Sequence, residues 1–200
     1  MTSTDAASPR SAAGRPRDAQ IDRAVLDATR ELLAEVGYQD TSIAAVARRA
    51  NVGTAPIYRR WAGKEALIED AVFGSENLWL PAETNDLHAD LIAWVRVFLG
   101  RIAEPSTRAA IPGLISAYHR DPDRYRALHD RADLPARQAL TARIRSVMPA
   151  DADATATADL VFEILVARTL VRGLTHGTDD ADTFCARTAD ALLTLIRTAT

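Results

Sequence analysis

Apolar residues recur at spacings of three and four along most of this 200-residue chain. That is the repeat of helices that each bury one face, so the pattern predicts an all-α fold of about nine helices. The first stripe runs Ile21, Ala24, Val25, Ala28, Leu32 and Val36, widened by Leu33. Asp18 is placed to cap this helix, and Gly37 to end it in left-handed geometry. Ile43, Val46, Ala47 and Ala50 form a shorter second stripe behind Thr41 and Ser42, whose side-chain oxygens suit the unpaired N–H groups of a starting helix. Asn51, Val52 and Gly53 supply a residue tolerant of positive φ, an apolar plug and a glycine, a compact turn between two steeply crossed helices. A third helix then starts with Thr54 as its cap, carries Ala55 and Pro56 where a missing N–H costs little, and turns Ile57 inward. The three stripes bury one another.

The fourth helix should run from Lys64 through Leu67, Ile68, Ala71, Val72 and Leu78 to just before Pro81, a mechanical link between this three-helix unit and the second domain. Later breaks fall at Glu104-Pro105, Asp121-Pro122, Met148-Pro149 and His176-Gly177. Between them, Leu87, Leu91, Trp94, Val95, Phe98, Leu99 and Ile102 mark a fifth helix. Leu114, Ile115 and Tyr118 mark a sixth, with a kink expected at Pro112. Asp121-Pro122 opens another helix in cap-then-proline order, which Pro135 should bend or interrupt. The last two helices, about 154–175 and 180–198, are apolar on more than one face. Val161, Leu165, Leu192, Leu193 and Ile196 are therefore expected at a contact with a second copy, the two pairs forming a four-helix bundle.

The turn between the second and third helices also carries chemistry. Tyr58, Arg59 and Arg60 stay outside, and the small or flat Ala55 and Pro56 let a backbone approach closely. Such a helix fits a DNA major groove, where long cations reach phosphates and base edges. Lys64, the only lysine, stands at the next helix start, where its ammonium and the helix amides suit one phosphate.

Residues 14–67 resemble the N-terminal DNA-binding domain of the tetracycline-repressor (TetR) family of bacterial transcription regulators. The likeness is carried by GRPR, by EVGY, and by TSIAAVARRANVGTAPIYRRWAGKEAL. The resemblance implies a homodimer on a palindromic operator, with a recognition helix at 54–61. It places Thr41, Tyr58 and Lys64 on phosphates, and Thr54, Ala55, Arg59 and Arg60 nearest the bases. Pro56 departs from the polar residue common at that place, removing one potential hydrogen bond. The region from GLISAYHRDPDRYRALHDR to ARTLVRGLTHG also looks like a C-terminal domain of one branch of the family.

Net charge is −3, which conceals an asymmetry. From Arg10 to Lys64 ten cations face six acids, whereas the remainder has fourteen against twenty-one, so the basic end is the end with the motif. Residues 1–14 are small and polar and are expected to be a disordered arm. Arg15 and Arg17 after them are placed to track a minor groove or a row of phosphates. The division expected is thus an arm at 1–14, a DNA-binding domain at 15–64 and a ligand-binding and dimerisation domain at 65–200. A single cysteine, Cys185, excludes an intrachain disulfide, and the N-terminus shows no signal-type apolar core, so a cytoplasmic protein is expected.

In the second domain, Trp79, Trp94, Phe98, Leu114, Tyr118, Phe162 and Thr169 are candidate cavity walls, with His119 and Arg172 as polar contacts. His119, His129 and His176 each precede an aspartate by four residues, which suits ion pairs; no metal site, cofactor motif or catalytic constellation is evident. A ligand-responsive regulator, most readily a repressor, accounts for these features. A DNA-binding activator or architectural factor without a ligand is the alternative, and an enzyme or small-molecule carrier with a vestigial DNA module a weaker one.

Overall fold

A computed structural model describes residues 15–74 and 80–199, with side chains from residue 19 onward. The described residues form α1 (Arg15–Asp40), α2 (Ile43–Arg49), α3 (Thr54–Arg60), α4 (Lys64–Phe73), α5 (Leu87–Ala103), α6 (Pro105–Arg120), α7 (Pro122–Leu128), α8 (Leu134–Arg145), α9 (Ala154–Thr175) and α10 (Ala181–Thr198). A π-helical turn, His129–Asp133, joins α7 to α8 without a break, so nine continuous helical segments result. Pro135 has no N–H to return to the carbonyl of Arg131, and the chain ahead of it slips register, Leu134 N donating to His129 O. Pro112 sits inside a continuous α6.

Several local expectations change. Residue 15 is already helical, so Asp18 is not the cap of α1, and Arg15 and Arg17 belong to a helix and not to a free arm. Their side chains, residues 1–14 and Trp79 lie outside the described residues. Gly37 breaks α1 with φ 77°, where a Cβ would be strained, and Asn51 takes φ 53° in the turn after α2. Ser42, not Thr41, caps α2 by accepting from Ala45 N; Thr41 is buried and its hydroxyl donates to Gly37 O at 2.8 Å. Gly53 occupies the cap position of α3, and Thr54 is its first helical residue. α4 stops at Phe73, seven residues short of the expected end, with Gly74 as its final cap.

Three apolar clusters organise the chain. Val25, Ala28 and Leu32 of α1 meet Ile43, Val46 and Ala47 of α2, Ile57 of α3, Trp61 and Leu67, closing the head. Val36, expected in that stripe, is instead exposed, while Leu33 turns to a second cluster with Ile68 and Val72 of α4 and Ala110 and Leu114 of α6. This second cluster is the junction between head and body. The third and largest joins α5, α8, α9 and α10. Val161, Leu165, Leu192 and Ile196 are enclosed in it, so these four form the subunit's own core and not an interface, while Leu193 packs against it and stays half-buried. The extra apolar faces of α9 are consumed by α5, α8 and α10 of the same chain. The exposed large apolar residues of α9 are Leu160 and Val171.

A polar staple closes the body. Arg143 Nε of α8 donates to Asp90 Oδ2 of α5 at 2.5 Å, and Thr84 adds its N–H and hydroxyl to Asp90 Oδ1. Burial alone would push the Asp90 carboxyl up, but these hydrogen bonds and the guanidinium charge outweigh it and hold it below its ordinary range. Cys185 is buried in the largest cluster, and burial pushes its thiol up.

Candidate nucleic-acid interface and internal cavity

α3 is held from beneath and at its end. Ile57 is fully buried, and the indole N–H of Trp61 donates to Asp70 Oδ2 of α4 at 2.9 Å, fixing the helix exit. What remains outside is a contiguous face: Thr54, Ala55, Tyr58, Arg59 and Arg60 are all exposed, Tyr58 by 61%. Arg60 leans on Asp22 of α1 at 3.1 Å, and Arg49 of α2 is spent on Glu31 and Glu35. Among the described residues neither Arg48 nor Arg59 has an ion-pair partner, which leaves both guanidinium groups for an external anion. Thr41 does not reach this surface, since its hydroxyl is enclosed. Lys64 does so in part: Nζ donates to Gln39 O at 3.1 Å and stands 4.5 Å from the centroid of the Tyr38 ring. Burial lowers its pKa, and it ties the end of α1 to the start of α4.

In the body a cavity of about 220 Å³ opens between α4, α5, α6, α7, the π turn and α9. Four expected residues line it: Phe98, Leu114, Tyr118 and Thr169. Trp94 and Phe162 do not; they are buried behind Phe98, with ring centroids 6.0 and 5.7 Å from it. His119 is exposed on α6 and does not line the cavity. Arg172 faces α10, its guanidinium 5.4 Å from the Phe184 ring centre and bonded to Asp179 O. Apolar residues that were not expected in the wall complete it, among them Phe73, Ile115, Tyr125, Leu128, Val166 and Leu170.

The wall also has polar members that the sequence reading missed: Arg101 and Asp133. Arg101 comes after Leu87, Leu91, Trp94 and Phe98 at spacings of four, three, four and three, so a cation on an apolar stripe was the available signal. Burial lowers the Arg101 pKa and raises those of Asp133 and of the Tyr118 hydroxyl. Asp133 Oδ2 lies 3.5 Å from His129 Nδ1. The other two histidine pairs do not form as expected: Asp123 pairs with Arg126, and His176 Nδ1 meets the Thr175 hydroxyl. Among the described residues no group of three potential ligands stands together to hold a metal ion, and no helix is long and apolar enough to cross a membrane.

Comparison with known proteins gives these features a setting. Residues 25–71 match the family model described as bacterial regulatory proteins, tetR family, and residues 81–192 match a tetracyclin repressor-like C-terminal domain. The HTH-type transcriptional regulator BetI of Escherichia coli O17:K52:H18 (strain UMN026 / ExPEC) is 31% identical over 139 residues, covering 52% of this chain and 71% of BetI. The HTH-type regulator YdeS of Bacillus subtilis (strain 168) is 38% identical over 68 residues; the match spans 34% of each chain, about a third of that relative's length. Among solved structures, the TetR family transcription regulator SCO0332 superposes with a TM-score of 0.62 at 27% identity, covering 86% of this chain and 97% of that one. Salmonella enterica GusR shares the fold with a TM-score of 0.67 at 20% identity, covering 94% and 100%. With a helix-turn-helix head presenting α3 and a matched helical body behind it, the chain belongs to the tetR family of bacterial regulatory proteins, DNA-binding regulators of transcription.

Proposed function

We propose that this chain is a ligand-responsive repressor that binds a palindromic operator as a homodimer and is released when a small molecule fills the body cavity. It acts by binding, with no catalytic step, in the cytoplasm. The observation that carries this reading is the sharing of residues between the cavity and the junction. Phe73 ends α4 and lines the cavity. Leu114 and Tyr118 line it too, and both belong to or pack on the cluster that holds Leu33, Ile68 and Val72. A ligand that prefers one position of these side chains therefore biases the angle of α4, and with it α3. Thr54, Ala55 and Arg59 are the base-facing residues in this reading, with Tyr58, Arg60, Arg48 and Lys64 toward phosphates.

Two recognition helices must lie about 34 to 36 Å apart, or a multiple of it, to enter successive turns of one duplex face. Leu160, Ala167 and Val171, spaced by seven and four on the outward side of α9, supply an apolar seam for the second copy. The test is a genome-wide footprint of bound sites, then gel-shift titration and sedimentation on one bound sequence. A dimer binding a twofold-related site with nanomolar preference over random duplex supports the reading; a monomer, or equal affinity for all duplexes, refutes it.

A further inference from the structure

We propose that the cavity selects a small apolar monoanion, a carboxylate carried on a body of about one aromatic ring. This rests on the body cavity being the ligand site of the regulator. A cavity of about 150 Å³ is enough to hold benzene, so 220 Å³ accommodates roughly nine or ten non-hydrogen atoms. Phe73, Phe98, Tyr118 and Tyr125 supply aromatic walls for such a body.

The choice of an anion comes from the donors. Arg101 lines the cavity with its guanidinium carbon 5.2 Å from the Phe73 ring centroid, and one of its nitrogens reaches Val72 O at a long 3.4 Å. Its buried Nε has no hydrogen-bond partner among the described residues, and neither has the buried hydroxyl of Tyr118 on the same wall. A half-buried guanidinium whose Nε is enclosed without a partner is costly, and a carboxylate is the group that accepts from both donors while offsetting the charge. Asp133 fills that role only through space: the two charges act on each other, but its carboxylate sits against His129, and no hydrogen bond or ion pair within 4.0 Å joins it to Arg101. A neutral ligand would leave the guanidinium without a carboxylate in direct contact, and a cation would face it directly.

Isothermal titration of the full chain with phenylacetate and with phenylacetamide, equal in non-hydrogen atoms and different in charge, tests this. The expected result is one phenylacetate per chain, bound at least tenfold more tightly than the amide. Arg101→Met should reduce the ratio to about one, while Arg101→Lys keeps a preference for the acid. Tyr118→Phe should weaken the acid several-fold. Equal binding of acid and amide by the wild-type chain, or no binding of the acid at millimolar concentration, overturns the proposal, and neither outcome depends on a variant folding. Gel shifts on the same preparation separate the two claims. DNA binding without anion binding removes this assignment alone; anion binding that leaves operator affinity unchanged leaves the assignment standing and removes the ligand-responsive reading.

Discussion

Gly113 of α6 lies directly against the ring of Tyr38 at the end of α1: a Cβ at position 113 would stand 2.2 Å from Tyr38 Cδ1. α4 meets the same residue, where Lys64 Nζ lies 4.5 Å from its ring centroid and Glu65 accepts from its hydroxyl at 3.4 Å. One aromatic residue thus sits where α1, α4 and α6 meet, at the junction of head and body. Gly113→Ala should destabilise the chain by about 1 to 3 kcal/mol through overpacking. Tyr38→Ala in the same chain should restore part of the loss by making room. Urea unfolding of the single and double variants measures this; additive losses would refute the contact.

Arg48 and Arg59, exposed and outside the ion pairs of the described residues, should behave differently on DNA. Arg59→Ala removes a base-facing guanidinium and should cost about 1 to 3 kcal/mol on a bound operator while relaxing preference at one position. Arg48→Ala removes a phosphate contact and should weaken all duplexes alike, lowering the salt slope by about one unit. Arg49→Ala is the control, because Glu31 and Glu35 already occupy that side chain and its loss should leave the salt slope unchanged. Gel-shift titrations at several salt concentrations distinguish the three.

Local stereochemistry made the head legible in the sequence, whereas the body depended on which faces meet. Gly37 and Asn51 take the positive φ expected of them because few residues adopt it without strain, although Gly37, with ψ 179°, is extended and not left-handed helical. Val36 and Leu33 show the limit: periodicity marks the stripe, but the edge residue that turns to α4 and α6 depends on how the domains dock. Val161 and Leu192 failed as interface residues for a related reason. Apolarity on several faces says that a helix has several neighbours, and α5, α8 and α10 of the same chain supply them. Arg101 was missed because a lone arginine reads as solvated, although its place on the α5 stripe turns it toward the cavity. Apolar spacing continues past Gly74, so periodicity alone overestimates the length of α4, which stops there.

Two buried carboxyls should give opposite pH signatures. Glu69 on α4 is enclosed; burial raises its pKa against the opposing charges of Arg124 and Arg131. Its contribution is therefore fully present below the unfolded value, about 4.3, and is lost as pH rises through the folded one. Asp90 is lowered, so its contribution is present above about 3.9 and lost as pH falls through its folded value. Glu69→Gln should gain stability relative to wild type between pH 4 and pH 7, since it removes the cost of ionisation. Asp90→Asn should lose most at pH 7, by about 3 to 5 kcal/mol, because it strands the enclosed Arg143. Urea midpoints at the two pH values give both signs; a Glu69→Gln chain that loses stability at pH 7 would contradict the first.

The seam proposed on α9 leads to the last prediction. Leu160 and Val171 are 45% and 62% exposed in the single chain, so replacing them removes no core packing. A twofold axis brings each substitution into the interface twice. Val171→Glu should therefore set two carboxylates in an apolar contact and raise the dimer dissociation constant by at least about a hundredfold, since buried unpaired charges cost several kcal/mol. Leu192→Glu is the contrast: its side chain is enclosed in the body, and that variant should unfold and not merely dissociate. Sedimentation with circular dichroism separates these outcomes. A Val171→Glu chain that stays dimeric and folded would move the seam to another face, whereas a folded monomer that has lost operator affinity would tie dimerisation to DNA recognition through the outward side of α9.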